Sequence, residues 1–356
     1  MRMHQTTTRQ AGVGGRIALV EFGRGVAALL VLLVHAGGMM RPEQYSGRPA
    51  FDDLFSKGFV GVDFFFVLSG FIICFVHYKD MSRPDRLPRY AWRRLTRVLP
   101  TYWVVFVAAL AMNLLLQREK ATVTAPWLLE QWFMLPPAQL FVGPAWTLQF
   151  ELLFYTIFAG VLLNRRAGLA LLGLWFVAVH GVRLFHGDVG DALDDPSWLK
   201  MLVHPYNNNF LLGMALGLAM RHGRGVLPLT LLYGAVSAGF FAYWASAGID
   251  WHNYPRFIGV GFICATLLGV LLLLAPHVHR LPGWMTFLGT ISYSLYLSHI
   301  FTVGYVYAVA ARLGLFAVLP QEVLFFLALA VAMATSWLLY RLVEKPVLAW
   351  AHRVVP

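Results

Sequence analysis

Ten stretches of this chain approach the roughly 20 consecutive apolar residues needed to cross about 30 Å of hydrocarbon. They lie at about 17–40, 58–77, 98–117, 145–163, 167–185, 207–221, 226–246, 257–276, 284–311 and 322–340. Lipid offers the backbone no hydrogen bonds, and continuous apolar runs of this length satisfy it only as helices. The expected fold is therefore all-α, a polytopic transmembrane helical bundle of about ten spans. Loops are short and no low-complexity linker interrupts the chain, so 1–356 reads as a single transmembrane domain with no appended soluble domain. The polar, basic segment 1–16 precedes an apolar stretch too long for a signal-peptide core, which makes that stretch the first span.

Charged residues make up 13% of the 356 positions and hydrophobic ones 59%, against roughly 25% charged in a soluble domain. The net charge of +11 resides in short segments between apolar runs, a topology signal rather than a basic face with interleaved aromatics, so nucleic acid is not an expected partner. With the N-terminus inside, eighteen lysines and arginines fall in cytoplasmic segments and eight, Arg256 among them, in outer ones. The positive-inside rule then places both termini in the cytoplasm. Cys74 and Cys264 both sit in apolar runs, which supports neither a disulfide framework nor a zinc site, and no metal is expected.

Ionisable residues inside spans are costly and point to function. The first span carries Glu21, Arg24 and His35. Eleven positions of about 100° return Arg24 and His35 to one helix face, about 16 Å apart along the axis. Asp63 on the descending second span falls at the depth of His35, and a carboxylate there can fix the imidazole tautomer and leave the other nitrogen as a general base. Glu151 on the fourth span falls in the same layer, or pairs with Arg24 or Arg183 to hold helices together. His299 on the ninth span either lines the cavity or serves packing, and His180 and Arg183 are weaker candidates. At the inner rim, Arg94 and Arg97 lie one turn apart with Arg93 beside them. Their guanidinium forks suit a phosphate, though the same residues serve as a positive-inside anchor or a lipid-headgroup patch. Trp146, Trp251 and the segment Tyr206-Asn-Asn-Asn209 have the chemistry to stack on and hydrogen-bond a sugar, and interfacial aromatics are equally ordinary membrane anchors.

Six motifs in order resemble acyltransferase family 3, the integral membrane enzymes that O-acylate sugars and other acceptors. They are Glu21-x-x-Arg24 with His35; Gly61-Val-Asp63-Phe-Phe-Phe-Val-Leu-Ser69-Gly70; Arg94-x-x-Arg97 with Pro100; Trp146-Thr-Leu-x-x-Glu151; Ile291-Ser-Tyr293-Ser-Leu-Tyr296-Leu-x-His299; and Glu344-Lys-Pro346. Glu21 stands where the family commonly has Asp, and Thr147 where Ser is frequent. The resemblance implies an acetyl-CoA donor entering from the cytoplasm, with Arg93, Arg94, Arg97 and Ser69 on the donor side. It implies His35, Asp63, Arg24 and Glu151 as catalytic residues, and Trp146, Tyr293, His299 and Glu21 on the substrate. The expected acceptor is a glycan or lipid-linked saccharide at the bacterial cytoplasmic (inner) membrane. Two other expectations compete: acylation of a small-molecule natural product by the same chemistry, and a proton-coupled transporter or flippase. The second is expected to show inverted repeats, which the sequence lacks.

Overall fold

A computed structural model describes the chain except residues 1, 53, 117–122, 136–138, 187–196, 224, 250–253, 279 and 356, and except the side chains of 2–17 and 183–186. Trp251 and the side chain of Arg183 lie outside the described residues. The helices are α1 (Arg2–Gly38), α2 (Val60–His77), α3 (Leu87–Leu116), α4 (Ala125–Phe133), α5 (Trp146–Leu163), α6 (Arg165–His186) and α7 (Trp198–Val203), followed by α8 (Tyr206–His222), α9 (Val226–Ala247), α10 (Tyr254–Leu274), α11 (Gly283–Arg312), α12 (Gln321–Leu339) and α13 (Lys345–Val354). No strand occurs among the described residues. Nine of their helical segments are long and apolar enough to cross a membrane. The tenth expected span, 207–221, is α8. At 17 residues it reaches about 25 Å, short of a full crossing. The chain is an all-α polytopic membrane protein, as the apolar runs imply.

Contacts divide the chain into two units. The first contains Met1–Val26, Val62–Leu87 and Phe150–Gly289. Within it α10 packs against α9 and α8. Helix α2 meets α8 backbone to backbone: a Cβ on Gly70 would strike the Phe210 carbonyl, and one on Gly213 the Val67 carbonyl. Without water to drive apolar association, such close approach of small residues is how helices in lipid gain van der Waals contact. Beside that crossing Phe210 stacks on Phe154 at 4.5 Å and tilts against Phe66 at 4.8 Å.

The second unit contains Ala27–Gly61, Pro88–Gln149 and Thr290–Pro356. Side-chain donors that cap foreign carbonyls tie its helices together. Tyr293 donates to the Val98 carbonyl at 2.8 Å, Tyr307 to Ala36 at 3.0 Å, and the Trp92 indole to Ala351 at 3.1 Å. Between α12 and α13 the helix widens into a π turn over Tyr340–Glu344. That turn carries the buried Glu344 carboxylate, which accepts from Ser294 at 2.7 Å. One turn of π geometry inside a helix is a recurrent way to aim a functional side chain.

The α2–α8 crossing leads to a stability prediction. Gly213→Leu should cost about 1–3 kcal/mol or more through overpacking and reduce the monodisperse fraction in detergent. Gly173→Leu, where a Cβ meets nothing within 4 Å, should behave as wild type on the same size-exclusion assay.

Candidate active site

The second unit holds a histidine pair. His35 lies one turn before the end of α1 and is half-buried, while His299, at the middle of α11, is 1% exposed. Their rings stand 4.9 Å apart, with His299 Nε2 at 3.2 Å from His35 Nδ1. The tautomers follow from the other partners, because a carbonyl oxygen only accepts. His299 Nδ1 faces the carbonyls of Tyr296 at 2.7 Å and Leu295 at 3.1 Å, so it carries the proton and Nε2 is an acceptor. His35 Nδ1 faces the Val31 carbonyl at 2.8 Å, so it too carries a proton, which it shares between Val31 and His299 Nε2. What remains is the lone pair on His35 Nε2, on the more accessible of the two rings. Such a nitrogen is a general base in its working tautomer.

The partners found within each unit bear on one expectation. Equal depth suggests that Asp63 orients His35. The structure gives the orienting contacts on Nδ1 to the Val31 carbonyl and His299, and engages Asp63 within the first unit. There Asp63, fully buried on α2, accepts from Arg256 Nη2 at 2.9 Å and from Asn209 Nδ2 at 3.0 Å. Arg256, counted above with the outer loops, lies inside α10 at 1% exposure, with its guanidinium 4.6 Å from the Phe257 ring centre. Two charges buried this deeply are tolerable only as a pair with further hydrogen bonds. The Asn209 offered above as a sugar ligand is one of those bonds.

The other expected residues also have definite places. In the first unit, Glu151 accepts from Ser69 at 3.1 Å and from Tyr155, joining α5 to α2 where pairing with Arg24 or Arg183 was the alternative. Arg24 donates to the Gly289 carbonyl at 2.7 Å, and the half-buried Glu21 has its backbone against Gly289 at the same crossing. His180 meets the Tyr254 hydroxyl. In the second unit, Arg93, Arg94 and Arg97 are half-buried in the first turns of α3, and Tyr293 bonds the carbonyl of Val98, the residue after Arg97. Trp146 is half-buried at the start of α5. Arg256 escaped the sequence reading although two apolar residues flank it on the C-terminal side. That signal was outweighed by its position at the end of a run.

The profile of the acyltransferase domain family matches residues 17–341. The chain belongs to that family, as its ordered motifs imply. It is similar to the exopolysaccharide production protein ExoZ of Rhizobium meliloti (strain 1021), with 30% identity over 306 residues that cover 83% of this chain and 90% of the relative. No solved structure matches the chain.

The buried ion pair separates a structural from a catalytic role for Asp63. Asp63→Ala should cost about 3–5 kcal/mol by stranding Arg256. Combining Asp63→Leu with Arg256→Met should restore most of the thermal stability in detergent, and a double variant as unstable as the single one would deny the pairing.

Proposed function

We propose that the protein is an acyl-CoA-dependent O-acyltransferase of the bacterial cytoplasmic membrane, moving acetyl from acetyl-CoA to a hydroxyl of an exported glycan or lipid-linked saccharide. The observation that carries the chemistry is the His35–His299 pair in a member of an acyltransferase family. The printed name of the relative, an exopolysaccharide production protein, supports the glycan.

In this reading His35 Nε2 takes the proton of the acceptor hydroxyl as its oxygen attacks the thioester carbonyl. The C–O bond forms, the C–S bond breaks, and the imidazolium returns its proton to the departing sulfur, leaving an ester and CoA thiol. The imidazolium keeps its Nδ1–H on Val31 and His299, and a hydrogen bond from a charged donor is stronger than one from a neutral donor. The orientation therefore also stabilises the intermediate charge. Arg94 and Arg97, with Arg93 beside them, grip the phosphates of the donor nucleotide. Tyr293, bonded next to Arg97, and His299 share α11 six residues apart, about 9 Å along the axis. The thioester arm of an extended donor bridges that interval.

His35→Ala should lower acetyl transfer by about 10²- to 10⁴-fold while the protein remains folded in the membrane, and undiminished transfer by the variant would sink the assignment. His299→Phe should lower kcat more than it changes either KM. For the arginines, the combined Arg94→Gln and Arg97→Gln change should raise the KM for acetyl-CoA by roughly tenfold or more, since each charged hydrogen bond is worth about 1.5–3 kcal/mol. S-acetylpantetheine, which lacks the nucleotide phosphates, should be used equally by wild type and variant.

A further inference from the structure

At one end of its spans the first unit collects cations that no carboxylate meets. The end of α2 and the loop after it touch both the start of α6, which carries Arg165 and Arg166, and the end of α8, which carries Arg221 and His222. Arg221 donates to the Phe75 carbonyl through Nε at 2.7 Å and Nη2 at 2.5 Å, and its guanidinium lies over the Phe75 ring at 3.9 Å. Arg165 lies over the Tyr78 ring at 5.5 Å, and the His222 ring meets that same tyrosine edge-on at 5.6 Å. The loop is pinned as well. The Ser82 hydroxyl accepts from the Arg165 backbone at 2.8 Å, and the Ser82 N–H donates to the Val161 carbonyl at 3.1 Å. Ser82 does so at a φ of 58°, a left-handed conformation that a non-glycine residue keeps only where its surroundings hold it.

Charge is what this arrangement leaves unbalanced. The carboxylates of the loop are taken, Asp80 by His77 at 2.9 Å and Asp85 by Arg83 at 3.4 Å and Arg86 at 3.3 Å. Among the described residues none of Arg165, Arg166 and Arg221 forms an ion pair. Neither of the ordinary uses of a terminal cation accounts for them. A topology signal needs charge alone, yet Arg165 and Arg221 are laid on rings and Arg221 is bonded to another helix. A cation that complements a helix dipole belongs at the C-terminus, yet Arg165 and Arg166 open α6 at its positive end. Arg221 is exposed and spends two of the five N–H groups of a guanidinium on Phe75, leaving the others for an outside acceptor. Exposed apolar side chains stand among the cations: Val76 next to Phe75, Leu163 two residues before Arg165, and Leu171 in the second turn of α6.

We propose that this end of the first unit binds an anionic phospholipid, its phosphate on Arg165, Arg166 and Arg221 and its acyl chains along the exposed apolar side chains of α5 and α6. A planar guanidinium matches phosphate oxygens two at a time. A free phosphate ion presents the same oxygens but leaves the apolar surface uncovered, and a lipid supplies both parts at the depth where the spans end. The site stands apart from the acyl-transfer reading, because none of its residues belongs to the histidine pair or to the arginines of α3.

The test titrates the full chain, purified in dodecyl maltoside, with dioleoyl phosphatidylglycerol and counts bound lipid by native mass spectrometry, with dioleoyl phosphatidylcholine as the zwitterionic comparison. Phosphatidylglycerol should bind the more tightly, and Arg165→Gln should weaken it about fivefold, the factor that one arginine contributes near an anionic lipid surface. Arg280→Gln, which makes the same charge change at an exposed residue outside these helices, should leave the affinity as in wild type. Arg221→Gln should weaken binding as Arg165→Gln does; because Arg221 also holds α8 to α2, the combined Arg165→Gln and Arg166→Gln change, which breaks no bond between helices, carries the test if that variant fails to fold. Equal affinity for the two lipids overturns the proposal. So does a loss in Arg280→Gln as large as in Arg165→Gln, which assigns the binding to diffuse surface charge. Excess inorganic phosphate should leave the lipid bound, and displacement by it assigns the site to a free anion and overturns the lipid.

Discussion

Inside hydrocarbon a polar group has no water to fall back on, and each one must find its partner within the protein. That single constraint sorts the polar residues of this chain. Asp63 is met by Arg256 and Asn209, Glu151 by Ser69 and Tyr155, and Glu344 by Ser294. Each of these sets joins helices distant in sequence, so the carboxylates act as cross-links in a solvent where apolar packing alone gives little direction. The His35–His299 pair follows the same rule up to a point. Three of its four ring nitrogens are committed to carbonyls or to each other, and the fourth, His35 Nε2, is the one whose lone pair that arrangement leaves available.

A neutral histidine in place of a carboxylate changes the energetics of the base. A buried aspartate beside His35 would stabilise the imidazolium strongly, but its own charge would need neutralising in the resting state. His299, fixed as an acceptor by two backbone carbonyls, holds the tautomer with no net charge. It accepts a stronger hydrogen bond once His35 is protonated. The carboxylate at comparable depth in the sequence, Asp63, is engaged instead with a cation that has the same need of a partner.

Much of this was legible before any coordinates. Apolar run length sets the helical class and nearly every span, because a bilayer imposes a length that the sequence must meet. The motifs carrying His35 and His299 are visible as ionisable residues where none is tolerated without cause. Partners were another matter. Depth is one coordinate of three, so a shared level does not name a residue's partners, which for Asp63 are Arg256 and Asn209. Arg256 sits two residues inside a helix whose start the hydropathy pattern blurs, so the pattern alone assigns it to a loop. The Glu344 contact depends on a π turn, a local widening that no residue pattern in 340–344 announces. The placing of Gln139 and Phe141 was invisible for a related reason: it depends on Gln131, a buried glutamine in a nine-residue helix, reaching across eight and ten residues of chain.

One helix orders the proposed reaction. Along α11, Tyr293 stands beside the start of α3 where the arginines lie, His299 follows at the base, and one face from Ile300 to Arg312 lines a cavity. From Tyr293 to Arg312 is about 28 Å of axis, traversed without a break in helical structure. A rigid rod suits a transfer between two long ligands, because it fixes the separation of donor grip, proton acceptor and cavity independently of the loops at either end. It also explains the composition of α11. Hydroxyls and a histidine occupy its middle, where groups must be aimed, and Gly304, Ala308 and Ala311 stand on one face of its far half, where space is kept. A span serving only to anchor the protein would need neither.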